Sequence, residues 1–243
     1  MADTRRQALL LDLDGTLYRG DGPVRAYADG VAATLAEADA KNFLSTVDEY
    51  LGNGVGEHTE PELLAATDGW EAVQRLATLR FEVGRTDLDT AFLASRAALA
   101  GPELGVEVPG GLLDALVALR PSTRIVLATN SPRLGLAALL SRLGADDKFD
   151  EIIDSAAKPV GLQRILAGIA EEIDARERPW RIFSVGDHWH NDIAPARDFG
   201  AVTGYIDRFG RADGEADAIA PKVEGILPTI TAWAADPDAF HRA

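Results

Sequence analysis

The sequence predicts an α/β protein: a doubly wound parallel sheet, interrupted after its first strand by a helical insert. Three observations carry this. Short, unbroken apolar runs end in polar residues at Ala8-Leu9-Leu10-Leu11 before Asp12, Ile125-Val126-Leu127-Ala128 before Thr129, and Ile182-Phe183-Ser184-Val185 before Gly186-Asp187. Runs of this kind suit strands buried on both faces, as in a parallel sheet. Helix-period patterns separate them after Pro109, and the stretch from Tyr18 to Pro109 is helical with no buried strand in it.

Taken in order, Ala8–Leu11 is the first strand. The insert carries helical patterns at Trp70-Val73-Leu76-Ala77-Leu79 and Phe92-Ala94-Ala97-Ala98-Leu99, with a looser Gly52-Asn53-Gly54-Val55-Gly56 segment. Leu112-Leu113-Ala115-Leu116-Leu119 precedes the second strand, and Leu134-Leu136-Leu139-Leu140-Leu143 follows it. Glu151-Ile152-Ile153-Asp154 is a weaker strand. Leu162-Ile165-Leu166-Ile169-Ile173 then leads to the strand ending at Val185, and Ile193-Ala194-Ala196-Arg197-Phe199 leads away from it. Ala201–Ile206 is a second weak strand, and the tail after Ala232 is expected to be loosely held. Strand–helix alternation of this sort reads as a doubly wound domain, whose ligands bind at the carboxyl ends of the strands. The expected division is a core of residues 1–17 and 110–243 and a helical domain of residues 18–109.

Composition narrows the function. The chain has 243 residues, 47% hydrophobic and 26% charged, which suits a soluble globular protein with an ample core. It has no cysteine, so thiolate chemistry, thiolate metal sites and disulfides are excluded. With 24 basic and 39 acidic residues its formal charge is −15, and no basic run exceeds Arg5-Arg6. Duplex nucleic acid and anionic membrane surfaces are therefore not expected as partners. The apolar run after Arg6 is too short for a signal peptide, which makes the cytoplasm the expected location. An anionic substrate would need a cation or a few placed basic groups.

Asp12-Leu13-Asp14-Gly15-Thr16 stands at the end of a buried strand. Two carboxylates two residues apart can point into one site where the chain turns at a glycine. One can serve as nucleophile or metal ligand and the other as acid/base; the plainer alternative is Asp-Gly turn chemistry. Thr129-Asn130-Ser131-Pro132 offers a hydroxyl and free N–H groups before a helix, a phosphate cradle or a simple N-cap. In Gly186-Asp187-His188-Trp189-His190-Asn191-Asp192, the carboxylates of Asp187 and Asp192 are hard oxygen donors that suit magnesium. His188 and His190 lack the third nitrogen or sulfur ligand of a zinc site and are expected at the rim or surface. Lys158 follows the Ile152-Ile153 strand, within reach of a phosphoryl group.

Together these segments resemble the haloacid dehalogenase superfamily of aspartate-based phosphotransferases. Four motifs match in order: Asp12 to Thr16, Thr129-Asn130, Lys158, and Gly186-Asp187 with Asp192. The resemblance covers roughly residues 5–17 and 110–235, and its first and last motifs are the specific ones. It implies a magnesium-dependent phosphatase acting on a small-molecule phosphate ester through an aspartyl phosphate. Asp12 would be the nucleophile and Asp14 the acid/base. Thr129, Asn130 and Lys158 would hold the phosphoryl oxygens. Asp12, the backbone carbonyl of Asp14 and Asp187 would bind Mg²⁺, with Asp192 as a further or water-mediated ligand that anchors Lys158. The insert would be a cap excluding water from the first step and, with Tyr18-Arg19-Gly20-Asp21-Gly22, choosing the substrate. His188 departs from the serine common at its position.

Three rival readings remain open at this point. A phosphomutase of the same superfamily shares the motifs. A dehalogenase proper has no need of Asp14. A catalytically silent binding protein has no need of Asp14, Lys158 and Asp187 together.

Overall fold

A computed structural model describes residues 4–242. The chain forms two compact units, one of residues 1–19, 107–132 and 143–243, the other of residues 20–106 and 133–142.

The first unit holds a six-stranded, all-parallel sheet. Its strands are β1 (Ala8–Leu11), β2 (Arg124–Ala128), β3 (Glu151–Ile153), β4 (Ile182–Gly186), β5 (Val202–Ile206) and β6 (Ala218–Ala220), in the spatial order β3-β2-β1-β4-β5-β6. The chain leaves β1 outward in both directions, so the switch point lies at the ends of β1, β2 and β4. Register brings these ends level: Leu11 pairs with Leu127 on one side and Val185 on the other. Asp12, Thr129 and Asp187 consequently leave the sheet at one edge. Central strands are apolar on both faces because helices cover both. Ala8, Leu10, Val126, Ala128 and Ile182 pack against Leu162, Leu166 and Ile169. Phe183 points the other way, onto Trp233 at 5.4 Å between ring centroids.

The second unit is helical, with α1 (Gly22–Ala32), α2 (Glu37–Asn53), α3 (Gly69–Leu79) and α4 (Arg85–Ala98). α3 starts at an N-cap Asp68 that accepts from the Glu71 N–H at 2.7 Å, while Thr67 donates to the Glu71 carboxylate at 2.8 Å. That reciprocal arrangement satisfies helix-end donors. Tyr27, Trp70 and Phe92 form an aromatic core, and the buried Arg96 guanidinium lies 4.0 Å from the Trp70 ring centroid.

The remaining helices are α5 (Leu112–Leu119), α6 (Leu136–Arg142), α7 (Val160–Glu172), α8 (Ala194–Phe199) and α9 (Leu227–Ala235). α6 follows β2, yet residues 133–142 group with the helical unit. Gly135 (φ +75°) explains how: a β-carbon there would lie 2.2 Å from the Arg96 carbonyl oxygen, so only glycine lets the two backbones approach. No helix among the described residues is long and apolar enough to cross a membrane.

The expected loose tail is not seen. Trp233 of α9 is fully buried and donates its indole N–H to the Trp180 carbonyl at 2.8 Å. Beyond it, Asp238 accepts from Trp180 Nε1 at 2.9 Å and pairs with Arg181, and Arg242 pairs with Asp217. One buried indole outweighs a polar composition. Trp233→Ala should therefore cost about 3–5 kcal/mol of stability, read as a lowered denaturation midpoint. An unchanged midpoint would return the tail to the loose state its sequence suggests.

Candidate functional site

Asp12 continues the buried run of β1, and its backbone N–H still donates to the Val185 carbonyl at 3.0 Å. Its carboxylate is therefore carried to the sheet edge by a rigid strand and is 8% exposed. The chain then turns tightly: the N–H groups of Leu17 and Tyr18 both return to the Leu13 carbonyl, at 3.0 and 3.3 Å. Gly15 makes the turn possible with φ +76°, and a β-carbon there would fall 1.9 Å from Asp187 Oδ2. Only glycine lets this turn pass the Asp187 carboxylate.

Lys158 Nζ contacts Asp12 Oδ1 at 2.6 Å and Asp192 Oδ1 at 2.5 Å, with 3% of its side chain exposed. One carboxylate oxygen from each of Asp12, Asp187 and Asp192 lies within 4.8 Å of the others. Asp192 reaches this cluster from a π-helical turn (Trp189–Ile193) after β4, where its other oxygen accepts from the His188 N–H at 3.3 Å. Gly186 gives it room, since a β-carbon there would lie 2.4 Å from the Asp192 side chain.

Charge in this cluster is unbalanced. Burial pushes Asp12 up to about 7; Lys158 pulls it down, while Asp192 and Asp14 push it further up. Burial alone would lower the Lys158 ammonium, but contact with Asp12 and Asp192 holds it well above its ordinary value. Lys158 therefore stays charged, facing more carboxylates than it can balance. A divalent cation bound by oxygen donors fits that deficit, and Asp12, Asp187 and Asp192 are the side chains able to hold it.

Asp14 has different company. Its Oδ1 accepts from the Tyr18 hydroxyl, and its Oδ2 accepts from Ser131 Oγ at 2.9 Å. Neither Tyr18 nor Ser131 was expected here as a contact. Tyr18 stands four residues after Asp14, the offset a helical turn brings together, and Ser131 directly follows the Thr129-Asn130 pair.

Thr129 is buried at the end of β2, and its hydroxyl accepts from the Ser131 N–H at 3.0 Å. The Asn130 side chain clasps the Lys158 main chain, accepting its N–H at 2.7 Å and donating to its carbonyl at 3.0 Å. The amide of Asn130 thus fixes the loop that presents Lys158. The rings of His188 and His190 lie 6.3 Å apart, and His188 Nδ1 accepts from the Asn191 N–H at 3.3 Å. That bond occupies His188 in capping the turn that carries Asp192.

The model of the haloacid dehalogenase-like hydrolase family matches residues 7–200. No curated protein matches the sequence. Among solved structures, a haloacid dehalogenase-like family hydrolase from Xanthomonas campestris is 20% identical, with TM-score 0.56 over 98% of this chain and 100% of that one. A predicted phosphoglycolate phosphatase from Haemophilus somnus is 16% identical, with TM-score 0.65 over 94% and 99%. A hydrolase of the same name family from Deinococcus radiodurans, with bound phosphate and sodium, is 20% identical, with TM-score 0.58 over 96% and 98%. At these identities the likeness is one of fold.

Proposed function

The chain belongs to the haloacid dehalogenase-like hydrolases, and from that premise we propose that it is a Mg²⁺-dependent phosphatase acting on small-molecule phosphate monoesters. One observation carries the reading: a buried carboxylate, Asp12, touches the buried ammonium of Lys158 inside a cluster with Asp187 and Asp192. A carboxylate so placed can attack phosphorus only if the charge between two anions is offset. Bound Mg²⁺ would supply Lewis-acid polarisation of a phosphoryl oxygen and charge for the transition state. The Deinococcus protein of similar fold binds phosphate and sodium, which is in keeping with this reading.

The chain's own residues then act as follows. Asp12 forms a bond to phosphorus as the ester oxygen departs, and Asp14 gives that oxygen a proton. Lys158, the Thr129 hydroxyl and the backbone N–H of Asn130 steady the phosphoryl oxygens. Water next attacks phosphorus, Asp14 takes its proton, and the Asp12–phosphorus bond breaks to release phosphate. Dividing hydrolysis into two displacements lowers each barrier. By family analogy, the helical unit is the cap that selects the ester.

The test uses para-nitrophenyl phosphate with the purified full chain. Phosphate release should require Mg²⁺, stop with a chelator and return when Mg²⁺ is restored. Steady release without a bisphosphate activator would set hydrolysis apart from mutase chemistry. Release that ignores both chelator and Mg²⁺ would sink the metal reading, and no release from any ester would favour a silent scaffold.

A further inference from the structure

We infer that Tyr18 and Ser131 are positioning residues that aim the Asp14 carboxyl group for proton transfer. The inference rests on the acid/base role proposed above. Tyr18 donates to one Asp14 oxygen and Ser131 to the other. A carboxyl group gripped at both oxygens cannot rotate about its Cβ–Cγ bond without losing a hydrogen bond. A carboxylate oxygen can accept more than one hydrogen bond, so a donor on each does not by itself bar Asp14 from serving a reacting group.

The two donors are themselves fixed, and by independent parts of the chain. Tyr18 is 2% exposed and closes the turn begun at Leu13. Ser131 is 5% exposed, its N–H bonded to Thr129 Oγ1 at 3.0 Å and its carbonyl to the Ser155 N–H at 2.9 Å. Asp14 is thus tied to its own loop and to the loop after β2. Asp12, by contrast, is partnered by an ammonium. The nucleophile is held by charge and the acid/base by two neutral hydroxyls, a division that suits their duties. Small errors of aim in a proton-transferring group cost rate steeply. The plainer alternative is that the hydroxyls merely stitch the loops together.

Leaving-group dependence separates these. The ratio of kcat/KM for para-nitrophenyl phosphate over phenyl phosphate reports how much the first step needs an acid, because nitrophenolate departs without one. Asp14→Asn should raise this ratio strongly. Tyr18→Phe, which keeps the ring and its packing, should raise it about tenfold, a fraction of the usual worth of general acid catalysis. Ser131→Ala should move it the same way, and serves if the Tyr18 variant folds poorly. Placed in the Asp14→Asn background, either change should alter kcat/KM less than about twofold, since there is then no acid to aim. A ratio raised by Asp14→Asn but by neither hydroxyl variant would overturn the positioning role and leave the acid/base reading standing. A ratio unmoved by Asp14→Asn would overturn both. Equal losses with both esters, persisting in the Asp14→Asn background, would show that the hydroxyls only stitch loops.

Discussion

Asp12→Asn should turn over para-nitrophenyl phosphate at least about 10⁴-fold more slowly than the native protein, in line with removal of other catalytic nucleophiles. The amide is nearly isosteric, and its carbonyl oxygen can still accept from Lys158, so the pair at 2.6 Å need not collapse. What disappears is the nucleophile itself, together with one of the three carboxylates able to hold the cation. Folding should not suffer. Burial and the neighbouring carboxylates push Asp12 up to about 7, so a neutral side chain relieves crowded charge, which offsets the weakened Lys158 contact while Asp192 still pairs with that ammonium. The expected result is therefore a dead enzyme with an unchanged or slightly higher melting temperature. Rapid-quench measurement should also find no protein-bound phosphate. Turnover near the native rate, with deamidation ruled out by mass spectrometry, would remove Asp12 from the nucleophile's place.

How much of this was legible in the sequence follows from burial. The central strands could be read because both faces are covered, which demands an unbroken apolar run such as Ala8–Leu11. β6 was missed for the opposite reason. It is a three-residue edge strand, Ala218–Ala220, with Ile219 half exposed, so nothing requires an apolar run there. The clustering of Asp12, Asp187 and Asp192 was legible because each stands at or just beyond the end of a readable strand. Lys158 was placed beside them by its position alone, and the structure adds how its loop is held: the Asn130 side chain clasps its backbone from 28 residues away. Side-chain jobs of that kind are invisible in one dimension. The Asn130 side chain braces a loop, and Tyr18 and Ser131, read as parts of a substrate-choosing loop and a phosphate cradle, both donate to Asp14. The tail fails for a simpler reason: its polar composition masks the helical spacing of Ile226, Ile230 and Trp233, all buried, the last against Phe183.

Lys158→Met tests the charge balance of the same site from its basic side. Methionine matches the length of the apolar stem but brings no ammonium. Turnover should fall by about 10²–10³-fold, the usual effect of removing one donor aimed at developing negative charge. Stability should change as well, and here the direction is informative. Lys158 is buried against Asp12 and Asp192 at 2.6 and 2.5 Å. Removing one partner of a buried ion pair costs about 3–5 kcal/mol when the other charge is left uncompensated. The cost should fall short of that, because Asp12 can give up its charge by taking a proton. Without Mg²⁺ the variant should still melt below the native protein. Added Mg²⁺ should then raise the melting temperature of the variant more than that of the native chain, because the cation replaces the only ammonium these carboxylates contact among the described residues. Lys158→Arg should recover much of the stability without full activity, since a planar guanidinium cannot occupy the ammonium's position. A Lys158→Met protein that melts like the native chain, responds no more to Mg²⁺ and keeps more than a tenth of its activity would mean that the cluster is balanced by some other group.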